Sequence, residues 1–163
     1  MTHPTAYRDD YDRVLRYLRT DAEDRTIAII AAAYCERYAR ALLEGQMRTI
    51  SKRFGRELFE GAGPLATAFA RYQLSYALEL IDDDVFEESK RLANIRNKFA
   101  HHLEIENADH PAVSKFILEF QPPKPAGRCS DWEERSNSKK LRFKAIDLVV
   151  YYHNALNRLY RQK

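Results

Sequence analysis

The sequence DDDVFEESKRLANIRNKFAH, residues 82–101, has the pattern of one long amphipathic helix. Three aspartates open it, and their carboxylates can cap the first turn and place negative charge at the positive end of a helix dipole. The apolar positions behind them recur at the spacing of one helical face. This pattern predicts a helix over roughly 84–102 with a buried stripe of Val85, Leu92, Ile95 and Phe99.

The rest of the chain predicts an all-α, single-domain bundle of about six helices over residues 1–163. A length of 163 residues with 45% hydrophobic residues suits one core, and only five glycines argue against a turn-rich β-sandwich. A Thr20–Glu23 capping box precedes the second helix, which passes Leu43 and can follow its repeat towards Gly55. The helices are predicted near 6–19, 21–43, 64–80, 84–102, 111–120 and 138–161.

Two signals place the starts of the shorter helices. Gly61–Pro64 is a turn in which Pro64 suits the first position of the third helix. Asp109 or Asn107 can cap the helix that begins near Pro111. The segment 121–137, with three prolines and no helical period, is predicted to be a long loop within the domain.

Charge and cysteine content constrain the functional class. The formal charge of +3 and pI of about 8.8 permit anionic partners without demanding them. Cys35 and Cys129 form no disulfide framework and show no metal-ligand spacing, which favours a reducing compartment. The sequence has no apolar run long enough to span a membrane. We therefore expect a cytoplasmic protein with no membrane association and no cofactor.

The end of the 84–102 helix carries the residues that most resemble a functional site. Asn97 and His101 are four apart and share a face, Arg96 lies about 100° around the axis from Asn97, and the three can share an exposed edge. An arginine for phosphate, an amide and a histidine that titrates near neutral pH suit a metal-independent ribonuclease. The alternative is structural, because a histidine in the last turn interacts favourably with the helix dipole. Lys98 and His102 are further candidates for binding an anion.

A second candidate anion site opens the last helix. Positive charge is disfavoured at a helix N-terminus, so a phosphate backbone or an acidic partner could compensate the cluster there, although simple solvated charge also accounts for it. The cluster consists of Lys139, Lys140, Arg142 and Lys144.

The sequence offers no metal site, because adjacent histidines without a carboxylate or thiolate at ligand spacing do not define one, and we predict none.

Three ordered motifs within residues 25–120 resemble the mannitol operon repressor family. They are the Gly-Pro-Leu turn within Leu58–Phe69, the "Tyr-Ala-Leu-x-Leu-Ile" helix end at Tyr76–Ile81, and the "Ile-Arg-Asn-x-Phe-Ala-His" helix end at Ile95–His101. Glu79 and Ala66 depart from the family, where glycine and serine are commoner. The resemblance implies an all-α transcriptional regulator without its own DNA-binding module. It would act through protein partners, among them the phosphocarrier HPr.

Arg96-Asn97-x-x-x-His101 also resembles the Arg-polar-x-x-x-His motif of HEPN domains, which are all-α, often dimeric and often RNA endonucleases in toxin, antiphage or RNA-processing systems. The leading hypothesis is therefore a homodimeric regulator that acts through a protein partner. The competing hypothesis is an endoribonuclease in which two copies bring Arg96 and His101 together over single-stranded RNA. A third is nucleic-acid binding through residues 139–144 without catalysis, which would depend strongly on salt.

Overall fold

Seven helices and no strand make up the described part of the chain, so the all-α prediction is confirmed. The structure is a computed structural model that describes residues 4–20, 22–47, 50–122 and 131–161, with side chains from residue 9 onward. The helices are α1 (Pro4–Leu18), α2 (Asp24–Gln46), α3 (Lys52–Phe59), α4 (Ala68–Ala77), α5 (Asp83–His101), α6 (Pro111–Leu118) and α7 (Asn137–Arg161).

The seventh helix arises because the second predicted helix does not continue towards Gly55. The backbone is extended at Met47, where α2 ends, and again at Ser51, where α3 begins. The Ser51 side chain accepts a 3.2 Å hydrogen bond from the Phe54 amide and so caps α3. The helical repeat of the sequence is continuous here, but the capping by Ser51 starts a separate helix.

The prediction that Pro64 opens a helix is wrong. The helix α4 begins after Thr67, whose hydroxyl accepts a 3.2 Å hydrogen bond from the Ala70 amide. Pro64 remains in the preceding turn, which Arg71 stabilises by donating a 2.8 Å hydrogen bond to the Leu65 carbonyl. Arg71, which lies within α4, thus hydrogen-bonds the carbonyl of Leu65, a residue that the sequence pattern predicts to be helical but that lies in the turn.

The predicted capping box before α2 is also wrong. The N-cap residue is Glu23, which makes no side-chain capping bond, while the Thr20 hydroxyl donates a 2.7 Å hydrogen bond back to the Tyr17 carbonyl. At α6 the N-cap is His110, whose Nδ1 accepts a 3.2 Å hydrogen bond from the Ala112 amide, so neither Asp109 nor Asn107 caps this helix as predicted. The Asn107 side chain instead accepts from the amide of Asp109 at 3.0 Å.

The two longest helices, α2 and α7, form the centre of the bundle. Both α5 and α4 pack on α2, α1 packs on α7 and α2, and α6 packs on α5 and α7. The predicted stripe of α5 is buried, with Ile95 and Phe99 fully enclosed. A smaller cluster of Leu43, Phe59 and Leu65 lies beneath α3 and the turn that follows it.

The predicted loop 121–137 ends in an ordered turn that begins at Asp131. Its Trp132 is 3% exposed and packs edge-on against Phe143 of α7, with 5.9 Å between ring centroids. Cys129, which the sequence placed in this loop, lies outside the described residues. Trp132 is therefore part of the core.

Candidate functional site

Arg25, in the first turn of α2, holds the C-terminal end of α5. Its guanidinium donates to the carbonyls of Phe99, His102 (3.3 Å), Leu103 (3.2 Å) and Ile105 (2.7 Å). The last carbonyls of a helix have no partner within it and carry partial negative charge, so Arg25 satisfies one of them, that of Phe99, together with carbonyls of the C-cap and the chain that follows. The end of α5 is thereby fixed in place.

Asp24, the neighbouring residue, ties two further elements to the same point. Its carboxylate is buried and accepts hydrogen bonds from the Ala108 amide (2.8 Å) and the Ser138 hydroxyl (2.7 Å). The start of α2 therefore anchors the α5–α6 connection and the start of α7. Sequence reasoning missed both residues, because an Asp in a first helical turn ordinarily only interacts favourably with the helix dipole, and an Arg there gives no local signal of a distant partner.

Arg96 does not share an exposed edge with Asn97 and His101. Its guanidinium turns towards α2 and pairs with the Glu36 carboxylate, with side chains 29% and 20% exposed respectively. The prediction of a shared edge fails because the two side chains meet across the α2–α5 contact. Arg96 is thus engaged within the fold.

Asn97 and His101 are exposed, as expected of the outward face of α5. No described residue hydrogen-bonds to the side chains of Asn97, Lys98 or His101. His102 differs, since its Nδ1 lies 3.0 Å from Glu104 Oε1 and its ring is half-buried. The exposed part of the motif is therefore the Asn97 amide and the His101 imidazole, while Lys98 is half-buried.

Two apolar side chains near this end of α5 are also exposed. Leu103 is 86% exposed and Ile29 of α2 is 38% exposed. Arg25 and Glu36 both reach α5 and lie about three turns apart on one side of α2, so Ile29 lies between them at the same edge. We call Ile29, Asn97, Ala100, His101 and Leu103 the α5-end surface.

The structure does not form the predicted exposed basic cluster at the start of α7. Lys140 and Lys144 are 5% and 4% exposed, and each ammonium lies 5.8 Å from the Trp132 ring. Arg142 donates to the carbonyls of Leu18 (3.2 Å) and Ala22 (3.1 Å). Lys139 is exposed. Three of the four cations are used inside the fold, because their positions face the core of the bundle.

A buried ion pair joins α5 to α7. Lys144 Nζ lies 3.2 Å from Glu88 Oε1, which also accepts a 2.9 Å hydrogen bond from the Gln121 amide. Glu88 Oε2 is buried without a hydrogen-bond partner among the described residues, and Arg91 Nη1 lies 3.9 Å from it. Burial raises the pKa of the Glu88 carboxyl, and Lys144 offsets this only in part. The sequence signal for this pair is Glu88 itself, a carboxylate that lies between Val85 and Leu92 on the apolar stripe of α5.

Two adjoining cavities lie at the N-terminal end of α5. A cavity of about 200 Å³, the inner cavity, is lined by residues that include Val85, Glu88, Lys144 and Asp147. An open cleft of about 930 Å³, the outer cleft, runs between the α4–α5 turn and the second half of α7. Both are lined by Asp82 and by Tyr151, whose hydroxyl accepts a 3.3 Å hydrogen bond from the Asp82 amide.

Comparison with protein-family models, with curated proteins and with solved structures finds no match to this chain. The resemblances to mannitol operon repressors and HEPN domains therefore rest on the sequence motifs alone. Over the residues that the structure describes, no group of three or more His, Cys, Asp or Glu side chains is placed to hold a metal ion. Within the same ranges, no helix is both long and apolar enough to cross a bilayer.

Proposed function

We propose that this chain is a non-catalytic regulatory protein that acts through a protein partner bound at the α5-end surface. The observation that carries the proposal is the contrast within one helix end. Arg96 is paired with Glu36, whereas Asn97, His101 and Leu103 all have exposed side chains, Leu103 at 86%.

This surface has the composition of a protein contact. An exposed leucine gains free energy when a partner covers it, and polar groups beside it supply directional hydrogen bonds. Four carbonyl contacts from Arg25 hold the backbone next to Leu103 in position before any partner arrives. A preorganised surface loses less conformational entropy on binding.

The same geometry argues against catalysis in the isolated chain. A ribonuclease of the predicted kind needs a cation on the scissile phosphate beside the histidine that moves the proton. Arg96 is turned to α2, and moving it to a phosphate would leave the 20% exposed Glu36 carboxylate without its partner. The arginine is therefore better explained as a structural element.

The resemblance to mannitol operon repressors supports transcriptional regulation as the process and the phosphocarrier HPr as the first partner to test. The resemblance to HEPN domains, which are often dimeric, supports a homodimer, in which a second copy would cover part of the same apolar surface. Neither binding to HPr nor self-association requires a DNA-binding element in this chain.

The experiment compares the wild type with Leu103→Ser and, as a matched control, Leu118→Ser, which removes a 66% exposed leucine from α6. Purified HPr binding is measured by calorimetry and self-association by light scattering after gel filtration. We expect Leu103→Ser to weaken one of these associations at least tenfold while Leu118→Ser leaves both unchanged. Equal effects of the two variants, or a wild type that binds neither HPr nor itself, would contradict the proposal.

A second candidate function, endoribonuclease activity, is favoured by one observation. His101 is exposed, Asn97 lies one turn away on the same face, and Lys98 supplies a nearby ammonium. Two copies meeting at this surface would bring two such histidines together. Cleavage of single-stranded RNA in EDTA by wild type but not by His101→Ala, with cyclic-phosphate ends, would establish this function in place of the regulator.

A further inference from the structure

The inner cavity and the outer cleft together concentrate negative charge. Among the described residues, the carboxylates that line them are Glu79, Asp82, Asp83, Asp84, Glu88 and Asp147. Two cations, Lys144 and Arg158, accompany them. This excess is local, because the chain as a whole carries a formal charge of +3. The site therefore attracts cationic groups.

One wall of the inner cavity is formed by charged side chains that are buried. Glu88 and Lys144 are 4% and 4–5% exposed and face each other, while the Asp147 carboxylate lies 4.0 Å from Lys144 Nζ at the cavity rim. One buried ammonium thus stands between two carboxylates, and Arg91 Nη1 lies 3.9 Å from the Glu88 oxygen that has no hydrogen-bond partner among the described residues. Asp147, which is 51% exposed and 4.0 Å from Lys144 Nζ, is therefore the carboxylate that can pair with an ammonium from a partner.

The rest of the lining combines Asp82, Asp84 and Gln121 with an apolar part formed by Val85, Leu148, Pro122 and the Tyr151 ring. A lysine side chain fits this combination, since its methylene stem packs along apolar groups while its compact ammonium reaches carboxylates. A guanidinium is planar and broader, and suits a cavity of about 200 Å³ with this apolar entrance less well.

The outer cleft presents aromatic and aliphatic surface next to that entrance. Tyr76 is 42% exposed and Leu78 is 49% exposed, and Tyr76 is held in place by stacking on Phe86 with ring centroids 4.9 Å apart. Open apolar surface of this kind suits the side chains of a peptide better than a small free amine, which would occupy the inner cavity alone.

From these observations we propose that the two cavities form a binding site for an extended peptide segment of a partner protein. One lysine of the segment enters the inner cavity beside Asp147, with Asp82 and Asp84 also in the lining, and its apolar neighbours lie on Tyr76 and Leu78. This site is separate from the α5-end surface, because residues 88 and 103 lie about 20 Å apart along the direction of α5. The two proposals can therefore fail independently.

The test uses a fluorescein-labelled peptide of alternating leucine and lysine, with anisotropy as the readout. A peptide with glutamine in place of lysine is its matched partner. We expect the lysine peptide to bind at least tenfold more tightly than the glutamine peptide, and its affinity to fall as NaCl is raised. Equal binding of the two peptides, or no binding of the lysine peptide, would overturn the proposal.

Two variants locate the site. We expect Asp147→Asn and Glu88→Gln each to weaken peptide binding about tenfold, a loss of about 1.4 kcal/mol. The Asp147 side chain is 51% exposed, so its variant tests the site even if Glu88→Gln does not fold. Asp12→Asn on α1 is the matched control, and Leu103→Ser should bind the peptide as the wild type does. Unchanged binding by Asp147→Asn would overturn the proposal.

Free 1,5-diaminopentane separates a peptide from a small amine as the source of the ammonium. We expect it to compete only at concentrations at least a hundredfold above those of the peptide, because it leaves the outer cleft empty. Competition at equal concentration would show that the site takes a free diamine and would overturn the peptide as its occupant.

Discussion

Arg25 and Ile105 are joined by a 2.7 Å hydrogen bond from guanidinium Nη2 to the main-chain carbonyl. The same side chain also serves the carbonyls of Phe99, His102 and Leu103. Arg25→Ala should lower the free energy of unfolding by about 2–3 kcal/mol, because partly buried carbonyls lose their donor. Urea denaturation measures this loss. Arg13→Ala, on the exposed face of α1, is the control and should change stability by less than about 0.5 kcal/mol.

The Arg96–Glu36 pair predicts a specific coupling. A double-mutant cycle with Arg96→Met and Glu36→Gln should give an interaction energy of about 1 kcal/mol, since both side chains are partly shielded from solvent. His101→Ala should leave stability unchanged within about 0.5 kcal/mol. Thermal and urea unfolding of the four proteins measure the cycle. A coupling indistinguishable from zero would show that Arg96 is available to an external ligand.

Glu88 should make stability depend on pH in the acidic range. Burial raises the pKa of its carboxyl in the folded protein above the ordinary value of 4.5, so folding takes up a proton as the pH falls through the folded-state pKa. The stability of the wild type relative to Glu88→Gln should therefore increase from pH 7 towards pH 4.5 and then level off. Urea titrations at several pH values test this. A difference that stays constant, or shrinks on acidification, would contradict the direction of the shift.

Gly63 should tolerate no side chain. A Cβ there would lie 2.3 Å from the Glu57 carbonyl oxygen and 2.5 Å from that of Leu58, both of them main-chain atoms. Gly63→Ala should cost about 2–3 kcal/mol of unfolding free energy. Gly55→Ala is the contrast, because its Cβ would meet only the Ile50 side chain at 3.8 Å. That variant should gain about 0.5–1 kcal/mol from helix propensity.

Cys35 should be chemically silent in the native protein. Its side chain is fully buried, and burial raises the pKa of the thiol well above its ordinary value. In a Cys129→Ser background, native protein should react with a thiol reagent only as fast as it unfolds. Adding urea should restore rapid modification. Fast stoichiometric labelling under native conditions would show that the core around Cys35 opens readily.

Local chemistry along the chain predicted the helices well where one signal was strong. The aspartates at 82–84 and the apolar stripe behind them placed α5 to within one residue at either end, and the alternating spacing placed α7 from Asn137 in place of 138. Prediction failed at Pro64 and near Gly55, because Thr67 and Ser51 are weak signals until a backbone amide is seen to bond to them.

The motif at Arg96–His101 was visible in the sequence because helical spacing alone puts Asn97 and His101 on one outward face. That Arg96 belongs to Glu36, and that Lys140, Arg142 and Lys144 turn inward, depends on which helices become neighbours. Such pairs join residues distant in the chain, and no local period encodes them. The sequence determined the helices and the chemistry on each face. The packing of the helices decided which charged groups pair within the bundle and which stay exposed to a partner.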